Sequence, residues 1–432
     1  MRILDKLVSI VRQATRSRYF GFVQGHAYLT RAELAQIKAL VGKEDPDVVE
    51  KFEKQFAVLV GEGECISYSA GRMGFYAVMK SIGIGRGDEV ILPGATCSVM
   101  VSAILRTGAT PIFSDIDPST FGSSPQHIME DLSTKTRLIV AQHSFGIPCD
   151  IESIVEMARA RSIFLLEDCA LSLGSKVNGV MVGNFGDAAL FSTDHSKPIN
   201  TLTGGMIYTR NPALVAGLRE AQSSYDQVPL RRQRALWRRL NIERMFCSSG
   251  RYRWMGFVDL LCSAGYRLLG LQEPFSRNDF SSSPDSDSPF PTNMPAFLAC
   301  LGLYEIQRWG GQAALRKRIL NELLSIAAPT GIYALLPTAY RNSRFDIIPL
   351  RFVWADVNCI SGRSLLGSFV HTDWTWFMQP IVATSEPLEN FGYIPDSCPV
   401  SEALGPGMAN LPCNIPESDI ANFLQSFRKS IQ

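Results

Sequence analysis

The chain has 432 residues, too many for one ordinary core and enough for roughly two or three packed units. Hydrophobic residues at 46% and charged residues at 19% exclude a disordered chain, and a formal net charge of +1 excludes a general field for nucleic acid or acidic membranes. The ten cysteines form no C-x-x-C pair and have no histidine at zinc spacing, so they read as thiols in a reducing compartment, and no metal is expected.

The opening MRILDKLVSIVRQATRSRYF has no apolar stretch long enough for a signal peptide. Runs of about 18 apolar residues are also missing, so a cytoplasmic location is expected. Residues 1–60 read as an N-terminal helical segment, with Val49, Phe52, Phe56 and Val60 at helical spacing. Residues 61–210 read as a large α/β domain. Short apolar, β-branched runs recur at 65–70, 89–93, 110–116, 137–144, 162–168, 187–193 and 204–210. Helical segments such as 73–83, 98–108 and 150–162 separate several of them. That alternation predicts a mainly parallel sheet covered on both faces, with ligands gathering beyond the carboxyl ends of the strands.

Residues 211–290 break the rhythm. A helix is predicted over 213–227, then comes an arginine-rich insert (229–254), an apolar stretch (256–271), and FSSSPDSDSP, a flexible linker by composition. Residues 291–432 read as two helices (295–309 and 313–326) followed by a small C-terminal α+β domain, whose last helix is expected to be capped by Ser418.

Several residues have the chemistry of a site. Lys197 lies in a polar loop just after a strand, and a lysine with a lowered pKa forms an imine with an aldehyde. Ser192 ends the preceding strand, with a hydroxyl suited to phosphate. Gly204 and Gly205 follow, permitting close backbone approach. Asp168 ends SIFLLED, where a buried carboxylate needs a partner: a pyridinium N–H is one, and an N-cap for a following helix is the plainer reading. SAGRMG (69–74) joins a strand to a helix. Ser69, Gly71 and the first helical N–H groups form a natural phosphate cradle, to which Arg72 adds charge, although a tight turn needs only the glycine. GIGRG (83–87) precedes a strand, which argues against a dinucleotide fingerprint.

These pieces resemble, in this order, the DegT/DnrJ/EryC1/StrS family of sugar aminotransferases dependent on pyridoxal phosphate. The resemblance rests on FEKQFAVLVG, on GIGRGDEVILPGATCSVMVSAILRTGATPIFSDID, on FLLEDCALSLGSKVNGVMVGNFGDAALFSTDHSKP and on GGMIYT. It implies fold type I of the pyridoxal-phosphate-dependent transferases, and a homodimer with its sites at the interface. It further implies that Lys197 holds the cofactor and shuttles protons, that Asp168 pairs with the pyridine nitrogen, and that Ser192 with the backbone of Gly71 and Arg72 holds the phosphate. Glutamate is then the expected amino donor and a keto-sugar nucleotide the acceptor, in amino-sugar or polysaccharide biosynthesis. A sugar dehydratase or a non-catalytic, membrane-associated relative is the alternative.

The chain departs from the family pattern at Leu171, where Gln or His is frequent, at Cys97, where an aromatic residue often stacks on the ring, and at Gly71-Arg72, usually Gly-Thr. Asn293 receives no firm role. His195 reads either as a residue touching cofactor or substrate or as a loop histidine with a structural hydrogen bond. Three readings of the arginine-rich insert stay open: a site for a sugar-nucleotide diphosphate, a peripheral membrane contact through 229–271 at the inner face of the membrane, or a solvated helix pair that only packs. Nucleic acid is not expected as a partner, since no recognised module accompanies the charge.

Overall fold

The computed structural model describes Val8, Val11, Val23 and residues 25–248, 250–275, 280–283, 289–356 and 376–431. All seven apolar runs form strands of one sheet. Its order is Asp226–Gln227, Thr292–Asn293, Glu64–Tyr68, Gly205–Thr209, Ala188–Ser192, Phe164–Asp168, Thr136–Gln142, Glu89–Pro93 and Thr110–Ser114. The last five run parallel, while Gly205–Thr209 is antiparallel to both neighbours. Successive side chains of a strand point to opposite faces, and the burial follows that period. Leu165, Ala189, Phe191, Met206 and Tyr208 pack in one core, whereas Leu166, Ala188, Leu190 and Ile207 pack in another on the far face.

Helices cover both faces. Gly71–Ser81 and Ser98–Thr107 lie over the second core through Phe75, Val78, Val101 and Ile104, and Ile151–Ala160 over the first through Ile154 and Ala158. Pro46–Val60, capped by Asp45, also packs on the first through Phe52 and Phe56.

The two helices expected at 295–309 and 313–326 are one helix, Ala296–Ala327. Gly310 and Gly311 face open space and do not interrupt it. Packing on both sides of the pair overrides their low propensity: Phe297, Leu298 and Leu301 belong to the first core, and Ile319, Leu320 and Leu323 to a C-terminal one. That last core adds the antiparallel strands Arg351–Ala355 and Met408–Pro412 and the helix Ile420–Ile431, which buries Phe423 and Phe427. Ser418 lies within a 3-10 turn, Glu417–Asp419, so the helix starts later than its expected cap. The strand Ile381–Val382 pairs in parallel with Thr96–Cys97, which brings the C-terminal region to the carboxyl edge of the main sheet.

Of the expected linker, residues 284–288 lie outside the described residues, and the part before them is docked. Ser102 Oγ donates to the carbonyl of Ser281, and Ser282 Oγ donates to Glu386 at 2.7 Å.

Candidate active site

Asp168 and Ser192 share a face because each follows Leu166 and Leu190 by two residues on adjacent parallel strands, registered Asp168 to Leu190. The helix Gly71–Ser81 starts on that face. Its N-cap is Ala70, which supplies no side-chain cap to the first turn. A Cβ on Gly71 would lie 3.4 Å from Leu190 Cδ1 and 3.8 Å from Ser192 Cβ, which sets the helix start beside the serine. Gly205 lets this happen: a Cβ there would stand 2.3 Å from Gly71 Cα. Ser69, by contrast, turns inward to Thr292 and to Met73 Sδ at 3.1 Å and takes no part in the cradle.

No helix follows Asp168, so the N-cap reading does not apply. The carboxylate is 6% exposed and accepts from its own Ala170 N–H at 3.0 Å. Burial pushes its pKa up, against the opposing pull of that N–H, Lys197 and His143. Lys197 sits in the loop after Ala188–Ser192, its N–H bonded to the carbonyl of Asp194 at 2.9 Å. Burial pushes its amine down. Asp194, the Cys97 thiol and Asp168 resist that shift, while Arg351 adds to it. Lys197 and Asp168 thus lie within electrostatic reach of each other. Nζ also lies 5.7 Å from the centre of the Trp376 ring. Arg72 and Lys197 both bear on Cys97, whose thiol burial pushes up.

The next residue back, Glu167, points to the opposite face. Its Oε1 accepts from the N–H groups of Phe185 and Gly186, and its Oε2 accepts from Gly183 N–H and meets His143 Nε2 at 3.1 Å. His143 Nδ1 in turn accepts from Cys149 N–H, so Nε2 carries the proton. The ligand atoms of His143, Glu167 and Cys169 lie within 4.8 Å of one another. The acceptors are engaged by backbone, however, which makes the group a clamp on the 179–187 turn. Asp187 closes that turn by accepting from Leu165 N–H at 2.8 Å.

His195 is held by the insert. Its Nδ1 lies 3.1 Å from Glu243 Oε1 on the helix Leu230–Phe246, and its ring lies 4.9 Å from that of Phe275. Arg239 bonds Glu243 and Asp259, both at 2.6 Å, and Arg238 reaches the carbonyl of Gln272. Two of the insert's arginines are therefore spent on internal contacts. Leu171 is buried, and Asn293 Nδ2 donates to the carbonyls of Gln222 and Tyr225, a role at the sheet edge.

Sequence reasoning missed Asp194, Arg351 and Trp376 around Lys197. Asp194 was readable, since it stands between Ser192 and Lys197. Arg351 carried a weak sign, a charge opening the apolar run RFVWA. It is buried, which pushes its pKa down to about 9, and it donates to Asn410 Oδ1 at 2.9 Å; Trp376 N–H donates to the same oxygen. Trp376 lies far along the chain with no local motif. A groove of about 1220 Å³ opens at the other edge of the sheet, lined by Glu53, Arg219 and Gln222 among others. Glu53 is already engaged there by Ser67 and Arg219, and neither Lys197 nor Asp168 borders it.

Residues 36–240 match the DegT/DnrJ/EryC1/StrS aminotransferase family model. Over this span, just under half of the chain, the sequence is similar to that family. A GDP-perosamine synthase of Escherichia coli O157:H7 is 42% identical over 166 residues, 38% of this chain and 46% of the relative. The chain spans less than half the length of the curated relatives it matches. Among solved structures, an aminotransferase from Psychrobacter cryohalolentis aligns with a TM-score of 0.68 at 19% identity, over 93% of this chain and 96% of that one. DesI, crystallised in the presence of its TDP-sugar product, aligns at 0.66 with 21% identity, over 93% and 90%. These matches show that the chain shares the fold of these aminotransferases, the fold that the resemblance implied.

Proposed function

We propose that this chain is a pyridoxal-phosphate-dependent aminotransferase that moves an amino group, with glutamate as expected donor, to a keto-sugar nucleotide. The observation that carries the reading is the pairing of the half-buried Lys197, in the loop after Ala188–Ser192, with the buried Asp168 at the end of the adjacent parallel strand, each bearing on the other's charge. The residues fit the cofactor. Asp168 is a buried acceptor that desolvation drives toward protonation, and a pyridinium N–H is the partner that restores its charge. The uncapped start of Gly71–Ser81 with the Ser192 hydroxyl beside it suits a phosphate. When bound, pyridoxal phosphate supplies an aldehyde for amines and a ring that withdraws electrons from the adjacent carbon.

The remaining work belongs to the chain. A lowered pKa keeps more of the Lys197 amine neutral, the form that attacks a carbonyl and accepts a proton. Nζ takes a proton from one carbon and returns it to another, so it acts as base and then as acid. Asp168 holds positive charge at the ring nitrogen, and Ser192, the Gly71 and Arg72 N–H groups and the Arg72 charge hold the phosphate. Arg351 sets a buried cation within reach of Lys197, the charge that the donor's carboxylate calls for. Both GDP-perosamine and the TDP-sugar product of DesI are nucleotide sugars, which supports that class of acceptor. A homodimer is part of the proposal, and light scattering of the loaded protein measures it.

Borohydride reduction of the loaded protein followed by peptide mass spectrometry tests the reading. A phosphopyridoxyl group on Lys197 is the expected result, with its loss in Lys197→Ala and a fall in glutamate-dependent amination of about a hundredfold or more. Modification of a different lysine, or of none, overturns it.

A further inference from the structure

We propose that the helix Met255–Leu268 and the turn after it dock on an anionic lipid surface, lying in the interface without crossing it. The sequence left 229–271 open as a whole, and the structure divides it. The arginine-rich helix Leu230–Phe246 is a strut against the body, with Ala235, Leu236, Leu240 and Glu243 buried. The apolar helix that follows is mounted the other way round. Its tie to the body is largely polar: Asp259 bonds Arg239, Tyr266 lies under the Arg238 guanidinium at 5.7 Å, and Met255 is its sole buried residue.

Its apolar side faces solvent. Phe257, Leu261, Ala264 and Leu268 fall at helical spacing on one stripe. Phe257 is 47% exposed, Leu261 55% and Leu268 85%, and Leu269 and Leu271 extend the stripe beyond the helix. Contiguous exposed apolar surface with a polar rim marks a docking face.

The rim decides what docks. Between Arg251 and Leu271 the charges are Arg251, Arg253, Arg267 and Asp259, and Asp259 is engaged by Arg239. All three arginines are exposed, and Arg253 lies over the ring of Trp254, itself half-exposed. A second copy meeting the same face across a two-fold axis would bring arginine against arginine around its edge. An anionic bilayer offers the complementary charge, an apolar depth for the stripe and an interface for Trp254. Fourteen residues of helix reach about 21 Å, short of a hydrocarbon core of about 30 Å. Consistently, among the described residues no helix is long and apolar enough to span a membrane.

Sedimentation of the cofactor-loaded full chain with sucrose-filled vesicles tests this independently of the enzymatic reading. Binding to phosphatidylcholine vesicles doped with phosphatidylglycerol is expected, falling as salt rises and weak on phosphatidylcholine alone. Leu261→Glu with Leu268→Glu lowers that partitioning about tenfold or more, with the melting temperature unchanged because both side chains are exposed. Arg253→Gln with Arg267→Gln weakens the preference for the anionic vesicles and leaves the apolar stripe intact. Three results overturn the proposal: no binding to either vesicle, binding that ignores the leucine variants, or a fall in the solution mass of those variants that reveals a second copy on the face.

Discussion

The imidazole of His195 meets the carboxylate of Glu243 at 3.1 Å, and that contact fastens the arginine-rich helix to the loop that carries Lys197 two residues later. Asp194 lies on the other side of the ring, with its Oδ1 3.6 Å from Nε2. The insert is therefore part of the scaffold of the candidate site.

Two titrations follow from this contact. Burial raises the Glu243 carboxyl, but Arg239 and His195 outweigh it and hold the group at about 2. Its contribution to stability is complete above the ordinary 4.5 and is lost as pH falls toward 2. Burial lowers His195, but Asp194 and Glu243 outweigh it and raise the ring above 6.5; that contribution is complete below 6.5 and is lost as pH rises through the raised value. Thermal melting across this range should give His195→Gln a flatter alkaline limb than the wild type. Glu243→Ala, which strips the largely covered Arg239 of one carboxylate, should cost about 3 kcal/mol and speed amide exchange in residues 193–202.

Asp168→Asn separates stability from function. Burial raises the pKa of Asp168, so between 3.8 and its raised value the folded protein holds a proton that the unfolded chain has released. Stability therefore falls as pH rises through that window. Asparagine carries no charge to desolvate, so the cofactor-free variant should melt higher than the wild type near neutral pH. Its affinity for pyridoxal phosphate and its amination rate should fall together. Calorimetry without cofactor and absorbance titration with it measure the two effects.

Much of this site was legible through the period of two. Leu166 and Asp168 alternate with Leu165 and Glu167, and Ala188, Leu190 and Ser192 alternate with Ala189 and Phe191. Strand assignment alone then puts Asp168 and Ser192 on one face and Glu167 on the other. The antiparallel sense of Gly205–Thr209 left no such mark, because a buried strand reads alike in either direction. Gly310-Gly311 suggested a break that packing on both sides of the pair overrode. Arg351 and Trp376 reach Lys197 from the C-terminal region, and their approach depends on the strand pairing of 381–382 with 96–97, a contact that local patterning does not encode.

Gly205→Ala should damage the cradle without touching a catalytic group. The added methyl would stand 2.3 Å from Gly71 Cα and 2.6 Å from Gly71 N, both backbone atoms that cannot swing aside. The helix start must shift away from Ser192, at a cost of about 1–3 kcal/mol. A phosphate held by those N–H groups should be lost before the aldehyde chemistry is. The variant should therefore bind pyridoxal phosphate more weakly, while pyridoxal, which lacks the phosphate, binds as in the wild type. Spectroscopic titration with both compounds checks this.

Glu167→Ala should be among the most destabilising single changes in the sheet. It leaves the N–H groups of Gly183, Phe185 and Gly186 and the His143 ring without their acceptor, the first and last of them buried and the other two half-buried. At about 1–3 kcal/mol for each buried donor left unsatisfied, the loss should exceed 3 kcal/mol. Glu167→Gln should fall between the two, since its amide oxygen still accepts while its NH2 confronts the donors that Oε2 or Oε1 had served. Because Glu167 adjoins Asp168 in the same strand, the loosened strand end should weaken cofactor binding in the same rank order. Urea unfolding of the three proteins gives the first series and absorbance titration the second. Equal midpoints for wild type and Glu167→Ala would show that the clamp on the 179–187 turn contributes nothing to the fold.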